Sequence, residues 1–207
     1  MSASRAVLTL VRHGQTSANL DAVWHGSSDT PLTEVGELQA LRVAGRIGDR
    51  YGDATVLYSS PLMRARHTAR PIADRLGLEI RIEEDLCEYD IGEWEGKSFK
   101  ELHEVHRLWE FIRDDPDFAP HGGESPRQVV ARLTGCLRRL HDRHPGERVL
   151  VVTHGGALAM ALGEFLEPGQ SSWAHVMTNC AVTQLALEPA PELLSFNEHD
   201  HLEDLRG

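Results

Sequence analysis

A layered α/β fold is predicted by three features of the sequence. Short β-rich runs alternate with helical patterns, the 207-residue length fits one folded unit, and no repeat or linker divides it. Residues 7–11 are dense in aliphatic and β-branched side chains and predict a buried strand, with Gly14 and the polar residues after it as the exit turn. Residues 19–32 form a polar loop carrying Trp24, Gly26 and Asp29. Thr33 then caps a helix on which Val35, Leu38, Leu41, Ala44 and Ile47 recur at helical intervals.

A second strand is expected over 54–58, followed by Ser59-Ser60-Pro61 as the start signal of a helix carrying Arg64, Ala65, Thr68 and Ala69. Pro71 falls inside this pattern and should bend or interrupt it. Residues 79–86 alternate partly and predict a third strand, and 88–96 form a loop with Tyr89 and Trp94. Residues 98–114 carry apolar side chains at helical spacing. His121-Gly122-Gly123 supplies a bend before Ser125-Pro126-Arg127-Gln128, which has the cap, proline and glutamine of a helix start. A fourth strand over 149–153, a helix over 156–166 and a strand over 181–187 complete the alternation. The chain is expected to form one domain over 1–207, with 197–207 an acidic, mobile tail.

The net charge is −11, from 32 acidic and 21 basic residues. This balance argues against nucleic acid or an anionic membrane as a partner, since either requires a basic field. A small phosphorylated metabolite is still allowed, because one converging pair of arginines dominates a small pocket. No stretch approaches the ~18 apolar residues of a membrane span. Strand-like sequence begins by residue 7, leaving no room for a leader's apolar segment, so a cytoplasmic location is expected. Cys87, Cys136 and Cys180 are widely spaced and lack a CxxC pair, which fits thiols in a reducing compartment. His103 with His106, and His199 with His201, lack the HExxH spacing of a hydrolytic zinc helix, and no GxSxG elbow occurs. No metal and no cofactor are expected.

Reactive side chains cluster where the predicted strands end. His13 ends the first, Arg64 follows the second, Glu88 the third, and His154-Gly155 the fourth. LVRHGQT at 10–16 with Asn19 behind it, SSPLMRARHTA at 59–69, LCEYDIGEWEG at 86–96, HGGES at 121–125 and VVTHGG at 151–156 together resemble the histidine phosphatase superfamily, the phosphoglycerate mutase-like proteins. The resemblance runs from about residue 7 to 187. It implies a three-layer α/β/α sandwich with a mostly parallel central sheet and a site at the strand carboxyl ends. PHGGES and NCAVTQL are also similar to segments of actinobacterial phosphatases, including those acting on glucosyl-3-phosphoglycerate.

The residue types suit phosphoryl transfer. A neutral imidazole at His13 can attack phosphorus, provided its other nitrogen is fixed by a partner that the sequence does not name. Arg12 and Arg64 offer paired donors for the nonbridging oxygens, and Asn19 adds a neutral donor. His154, by the resemblance, completes this phosphate pocket. Glu88, also by the resemblance, serves as acid for the departing alkoxide and base for the later water. Gln15, Thr16, Trp24, Gly26, Gly155, the Glu124-Ser125 region and residues 173–179 are the lining elements the resemblance implies.

The expected activity is a cofactor-independent phosphomonoesterase acting on a small phosphorylated metabolite. The modest segment between Glu88 and HGGES resembles the phosphatase branch more than the longer, bisphosphate-primed phosphoglycerate mutases, which stand as the alternative. A noncatalytic module binding phosphate esters or phosphoproteins is the reading from another class. A homodimer is implied by the resemblance alone.

Overall fold

The computed structural model describes residues 5–119, 121–169 and 173–205. Six strands, β1 (Val7–Arg12), β2 (Val56–Ser59), β3 (Ile80–Ile82), β4 (Arg148–Thr153), β5 (Val182–Ala186) and β6 (Glu192–Glu198), form one sheet in the order β3-β2-β4-β1-β5-β6. Strands β1 to β4 run parallel, and β5 lies antiparallel to both β1 and β6. The helices are α1 (Ser17–Leu20), α2 (Glu34–Arg50), α3 (Met63–Leu76), α4 (Phe99–Glu104), α5 (Leu108–Asp114), α6 (Pro126–Arg143) and α7 (Gly155–Leu166).

Strand side chains alternate between two cores, as the twofold repeat of a strand requires. Leu8, Leu10, Val149 and Val151 pack with α6 and α7, whereas Val11, Leu150 and Val152 pack with α2 and α3. Because helices cover both faces, β4 is a continuous apolar run instead of an alternating one. The architecture is the expected α/β sandwich with a mostly parallel sheet. Among the described residues no helix is long and apolar enough to cross a membrane.

Several elements depart from the sequence expectation. On α2 the buried residues include Gly36, Ala40, Val43, Ala44 and Ile47, while Val35, Leu38 and Leu41 are 37%, 48% and 60% exposed. Close approach outweighs the apolar stripe here. A Cβ on Gly36 would lie 2.1 Å from the Gln15 carbonyl oxygen, and one on Gly14 would lie 2.6 Å from the Gly36 oxygen, so two glycines let α2 press against the turn after β1. The predicted 98–114 helix is divided into α4 and α5, because Arg107 adopts a left-handed conformation with φ 49°. The third strand shortens to Ile80–Ile82, and the acidic residues after it form a 3-10 turn, Glu84–Leu86.

Helix α3 starts at Met63, later than the serines predicted. Its first amide is held by Asp29 from the preceding loop, with Met63 N donating at 2.9 and 2.8 Å to the two carboxylate oxygens. The helix then runs unbroken through Pro71. Proline removes the amide that would reach the His67 carbonyl, and His67 lies on the exposed side, where water replaces that bond.

Residues 192–205 add structure that the sequence reading left without a role. Strand β6 extends the sheet, and a 3-10 segment, Asp200–Leu205, lies along α2. Leu202 is 2% exposed in the α2/α3 core, Asp200 pairs with Arg46, Asp204 pairs with Arg42, and His201 Nε2 donates to the Cys180 carbonyl at 3.0 Å. The ion pairs are largely exposed, so the buried leucine should dominate the docking. Leu202→Ala is expected to destabilise the protein by about 2–4 kcal/mol in urea unfolding. Arg42→Ala is expected to change it by less than about 1 kcal/mol. Equal losses would show that the segment is held by charge.

Candidate active site

Strand register assembles the site. The β1/β4 pairing sets Arg12 opposite Thr153, so the next residues, His13 and His154, leave neighbouring parallel strands side by side. Their ring centroids are 5.2 Å apart. Pairing of β2 with β4 sets Ser59 opposite Val152 and brings Ser60 to the same edge. Cavities at the carboxyl ends of parallel strands are where open α/β sheets bind ligands. The cavity here holds about 350 Å³ and is lined by Arg12, His13, Arg64 and Glu88 together with an aromatic wall.

His13 is held as a neutral imidazole with a defined tautomer. Its Nδ1 lies 2.7 Å from the Gly14 carbonyl oxygen, which can only accept, so Nδ1 carries the proton and Nε2 the lone pair. Burial, then Arg64, then Arg12, hold its pKa well below the usual histidine value. Gly14 is fixed in turn by Thr68, whose hydroxyl accepts from Gly14 N at 2.9 Å and donates to the Arg64 carbonyl at 2.8 Å. The partner that the sequence could not name is therefore the adjacent backbone carbonyl.

Arg64 is 2% exposed, and most of its donors are engaged. Nη1 donates to Ser28 O at 2.8 Å, Nη2 to Gly26 O at 2.9 Å and His25 O at 3.2 Å, and Nε to His154 Nδ1 at 3.2 Å. One guanidinium hydrogen, on Nη1, has no hydrogen-bond partner among the described residues, and Asp29 Oδ1 lies 4.0 Å from that nitrogen. Arg12 donates from Nη1 to the Met177 carbonyl, and its buried Nε has no partner among the described residues. Burial lowers both arginines from their ordinary value and Glu88 acts in the opposite direction, yet a guanidinium at this position stays charged.

Glu88 sits on the N-terminus of α7. Its Oε1 accepts from Tyr89 N at 2.8 Å and Ala157 N at 2.6 Å, and Oε2 accepts from Gly156 N at 2.8 Å. The helix has no side-chain cap of its own, so this carboxylate takes two of its free amides. Glycines make the approach feasible. A Cβ on Gly156 would lie 2.9 Å from Glu88 Oε1, and one on Gly155 would lie 2.9 Å from Arg12 Nε. Gly155 thus lines the cavity as the floor beneath Arg12.

The remaining candidates divide between the cavity and its supports. Thr16, Asn19 and Trp24 line the cavity. Asn19 Oδ1 accepts from Thr16 N at 3.1 Å and from Asn179 Nδ2 at 3.1 Å, which leaves its side-chain nitrogen as a donor without a hydrogen-bond partner among the described residues. Gln15 and Gly26 stand behind the wall. Gln15 Oε1 accepts from the Thr33 hydroxyl, the Gln15 backbone N donates to Gln39 Oε1, and Gly26 contributes a carbonyl to Arg64. His154 is fully buried between Arg64 Nε and Ser60 Oγ, the latter 2.7 Å from Nε2, and burial with Arg64 holds its pKa well below the ordinary value. It is a neutral support for Arg64 here.

His121 and the Glu124-Ser125 region are supports as well. Glu124 pairs with Arg132 at 2.7 Å, and Arg132 donates to the carbonyls of Asp85, Cys87 and Glu88 at 2.9, 3.0 and 3.2 Å. Ser125 forms the anticipated capping box with Gln128. His121 O accepts from Glu93 N at 2.9 Å, tying the HGG bend to the loop beyond Glu88. Sequence reasoning missed Arg132, Thr68 and the role of Asn179. Each acts across a large sequence separation and leaves no local pattern, although Thr68 and Asn179 lie within segments already singled out. Residues 170–172, next to the 173–179 lining segment, lie outside the described residues; Trp173 and Val176 line the cavity, and Asn179 holds the His13 carbonyl at 2.9 Å.

The sequence matches the family described as histidine phosphatase superfamily (branch 1) over residues 8–198. It is 39% identical over 158 residues to phosphoglycerate mutase-like protein 4 of Arabidopsis thaliana, covering 74% of this chain and 68% of that protein. It is 32% identical over 198 residues to glucosyl-3-phosphoglycerate phosphatase of Mycobacterium tuberculosis, covering 89% and 86%. A phosphoserine phosphatase of Entamoeba histolytica, solved in complex with 3-phosphoglyceric acid, superposes with a TM-score of 0.83 at 30% identity over 95% of this chain and 99% of that one. With family, sequence relatives and fold in agreement over nearly its whole length, the chain belongs to the histidine phosphatase superfamily.

Proposed function

We propose that this protein is a phosphomonoesterase that hydrolyses a small phosphorylated metabolite through a phosphohistidine on His13, without metal or cofactor. The observation that carries the reading is the Nδ1–Gly14 hydrogen bond, which leaves Nε2 unprotonated on a ring under the influence of the buried Arg64 and of Arg12. The Nε2 lone pair forms the N–P bond as the P–O bond to the alcohol breaks, and Glu88 gives the departing oxygen a proton. Water then attacks phosphorus, Glu88 takes its proton, and the N–P bond breaks with its electron pair returning to Nε2. Charge on the nonbridging oxygens is offset by Arg12 and Arg64, with Asn19 as a neutral donor. His154 positions Arg64 through Nδ1. The phosphatase names of the mycobacterial and amoebic relatives support hydrolysis, and the plant relative's name keeps phosphoglycerate isomerisation as the second reading.

Phosphate release from a panel of phosphate esters, measured with chelator present, tests the proposal. His13→Ala is expected to lower the rate about a thousandfold or more, and Glu88→Gln about a hundredfold or more. Isomerisation of 3-phosphoglycerate after bisphosphate priming, without phosphate release, would establish the mutase instead. Binding without turnover of any ester would leave a noncatalytic module.

The charge arrangement also has a pH signature. Because burial and the arginines depress the His13 pKa, its ring should stay neutral as pH falls through the usual histidine range and protonate only below it. Arg64→Gln removes the cation with the larger effect on the ring and should move the His13 titration, followed by NMR of the ring, upward. Arg64→Lys should move it less. An unchanged titration in Arg64→Gln would remove Arg64 from this role.

A further inference from the structure

The part of the cavity away from His13 has a different character. Trp24, Trp109 and Trp173 form a box, with Trp109 and Trp173 stacked at 5.6 Å and an interplanar angle of 11°, and Trp24 edge-on to both at 6.1 and 5.8 Å. Phe99, Val23 and Val176 extend this wall to the cavity mouth. Among the described residues the lining carries no lysine, and its arginines are Arg12 and Arg64, beside His13. His25, the other basic side chain there, is held below the usual histidine pKa by burial and Arg64, and its Nδ1 is engaged by Thr30 at 2.8 Å.

A substrate whose alcohol carries a carboxylate would therefore bring that charge to a wall of indole and valine whose polar groups, Thr16, Asn19 and the unpartnered Trp173 Nε1, are neutral, with no cationic partner there among the described residues. Burying an unpaired charge is strongly unfavourable. A ring with an apolar face would instead cover the exposed parts of Trp109 and Trp173, and a cavity of about 350 Å³ has room for one ring beside the phosphoryl group.

Resting on the phosphatase reading for the placement of the phosphoryl group, we propose that this enzyme selects monophosphate esters of an uncharged alcohol bearing a ring, that the ring lies against Trp109 and Trp173, and that phosphoglycerate and phosphoserine are poor substrates. Trp109 and Trp173 are then specificity residues contributed by segments remote from the phosphate motifs. Both are half-buried, so shortening either one is compatible with folding in a way that loss of the deeply buried Trp24 is not.

The test uses ligands that cannot be hydrolysed, which separates binding from leaving-group reactivity. Calorimetric titration with benzylphosphonate and 3-phosphonopropionate is expected to favour the benzyl compound by about tenfold or more, the ratio corresponding to ~1.4 kcal/mol. Trp109→Ala and Trp173→Ala should each weaken benzylphosphonate several-fold and leave inorganic phosphate unchanged, while Trp109→Phe retains most of the affinity. Equal or tighter binding of 3-phosphonopropionate would overturn the proposal. So would tryptophan variants that weaken benzylphosphonate and inorganic phosphate alike. Turnover separates the two readings. His13-dependent release of phosphate that is fastest from 3-phosphoglycerate keeps the phosphatase and sinks this selectivity. Preferential benzylphosphonate binding without turnover of any ester keeps the subsite and sinks the phosphatase.

Discussion

The site depends on the parallel pairing of β1 with β4. With Arg12 opposite Thr153, the first residues beyond the ladder are two imidazoles whose rings are within contact distance, and no loop conformation has to be specified to bring them there. A shift of one residue in this register would turn every side chain of β1 to the other core, exchanging Leu10 with Val11 against helices shaped for the opposite arrangement. Core packing on both faces of the sheet thus protects the geometry of groups that contribute little to packing themselves.

Burial of positive charge is the second constraint. Arg64 is almost fully enclosed, an arrangement that is strongly unfavourable unless the guanidinium is hydrogen-bonded. The carbonyls of His25, Gly26 and Ser28 supply those bonds, and the loop that presents them is anchored by Asp29 on the first amide of α3, the helix that carries Arg64. Loop and arginine hold each other. The surrounding chain has a net charge of −11, yet burial first, and then the neighbouring Arg64 and Arg12, hold the His13 imidazole neutral.

Much of this was legible in the sequence, because strand-end motifs are local. An apolar run ending in Arg-His-Gly or Thr-His-Gly-Gly announces both the strand and the polar group at its end, and Ser-Pro-Arg-Gln announces a helix start. What was illegible is set by partners far along the chain. Val35, Leu38 and Leu41 have helical spacing and face outward all the same, because Gly36 lets α2 approach the turn after β1 on another side. Residues 192–205 alternate weakly and carry much charge, and only the docking of Leu202 into the α2/α3 core reveals their place. Arg132 looks like one more surface cation on α6, while in three dimensions it gathers the carbonyls on either side of Glu88.

In the proposed function, phosphate chemistry and alcohol selection are carried by different kinds of sequence. The groups around the phosphoryl position come from strand ends and helix starts, where register and capping leave few alternatives and a short motif suffices. The aromatic wall comes from the loop bearing Trp24, which backbone hydrogen bonds from Trp24 N to Lys97 O and from Phe99 N to Ala22 O tie to the start of α4, and from α5 and the segment at Trp173, whose rings meet it edge-on and stacked. Such a wall can be rebuilt with other side chains while the strand ends stay as they are. That separation explains why the same residues that identify the superfamily say so little about its substrate, and why the stacked tryptophans of this chain bear more directly on the alcohol than any of the motifs do.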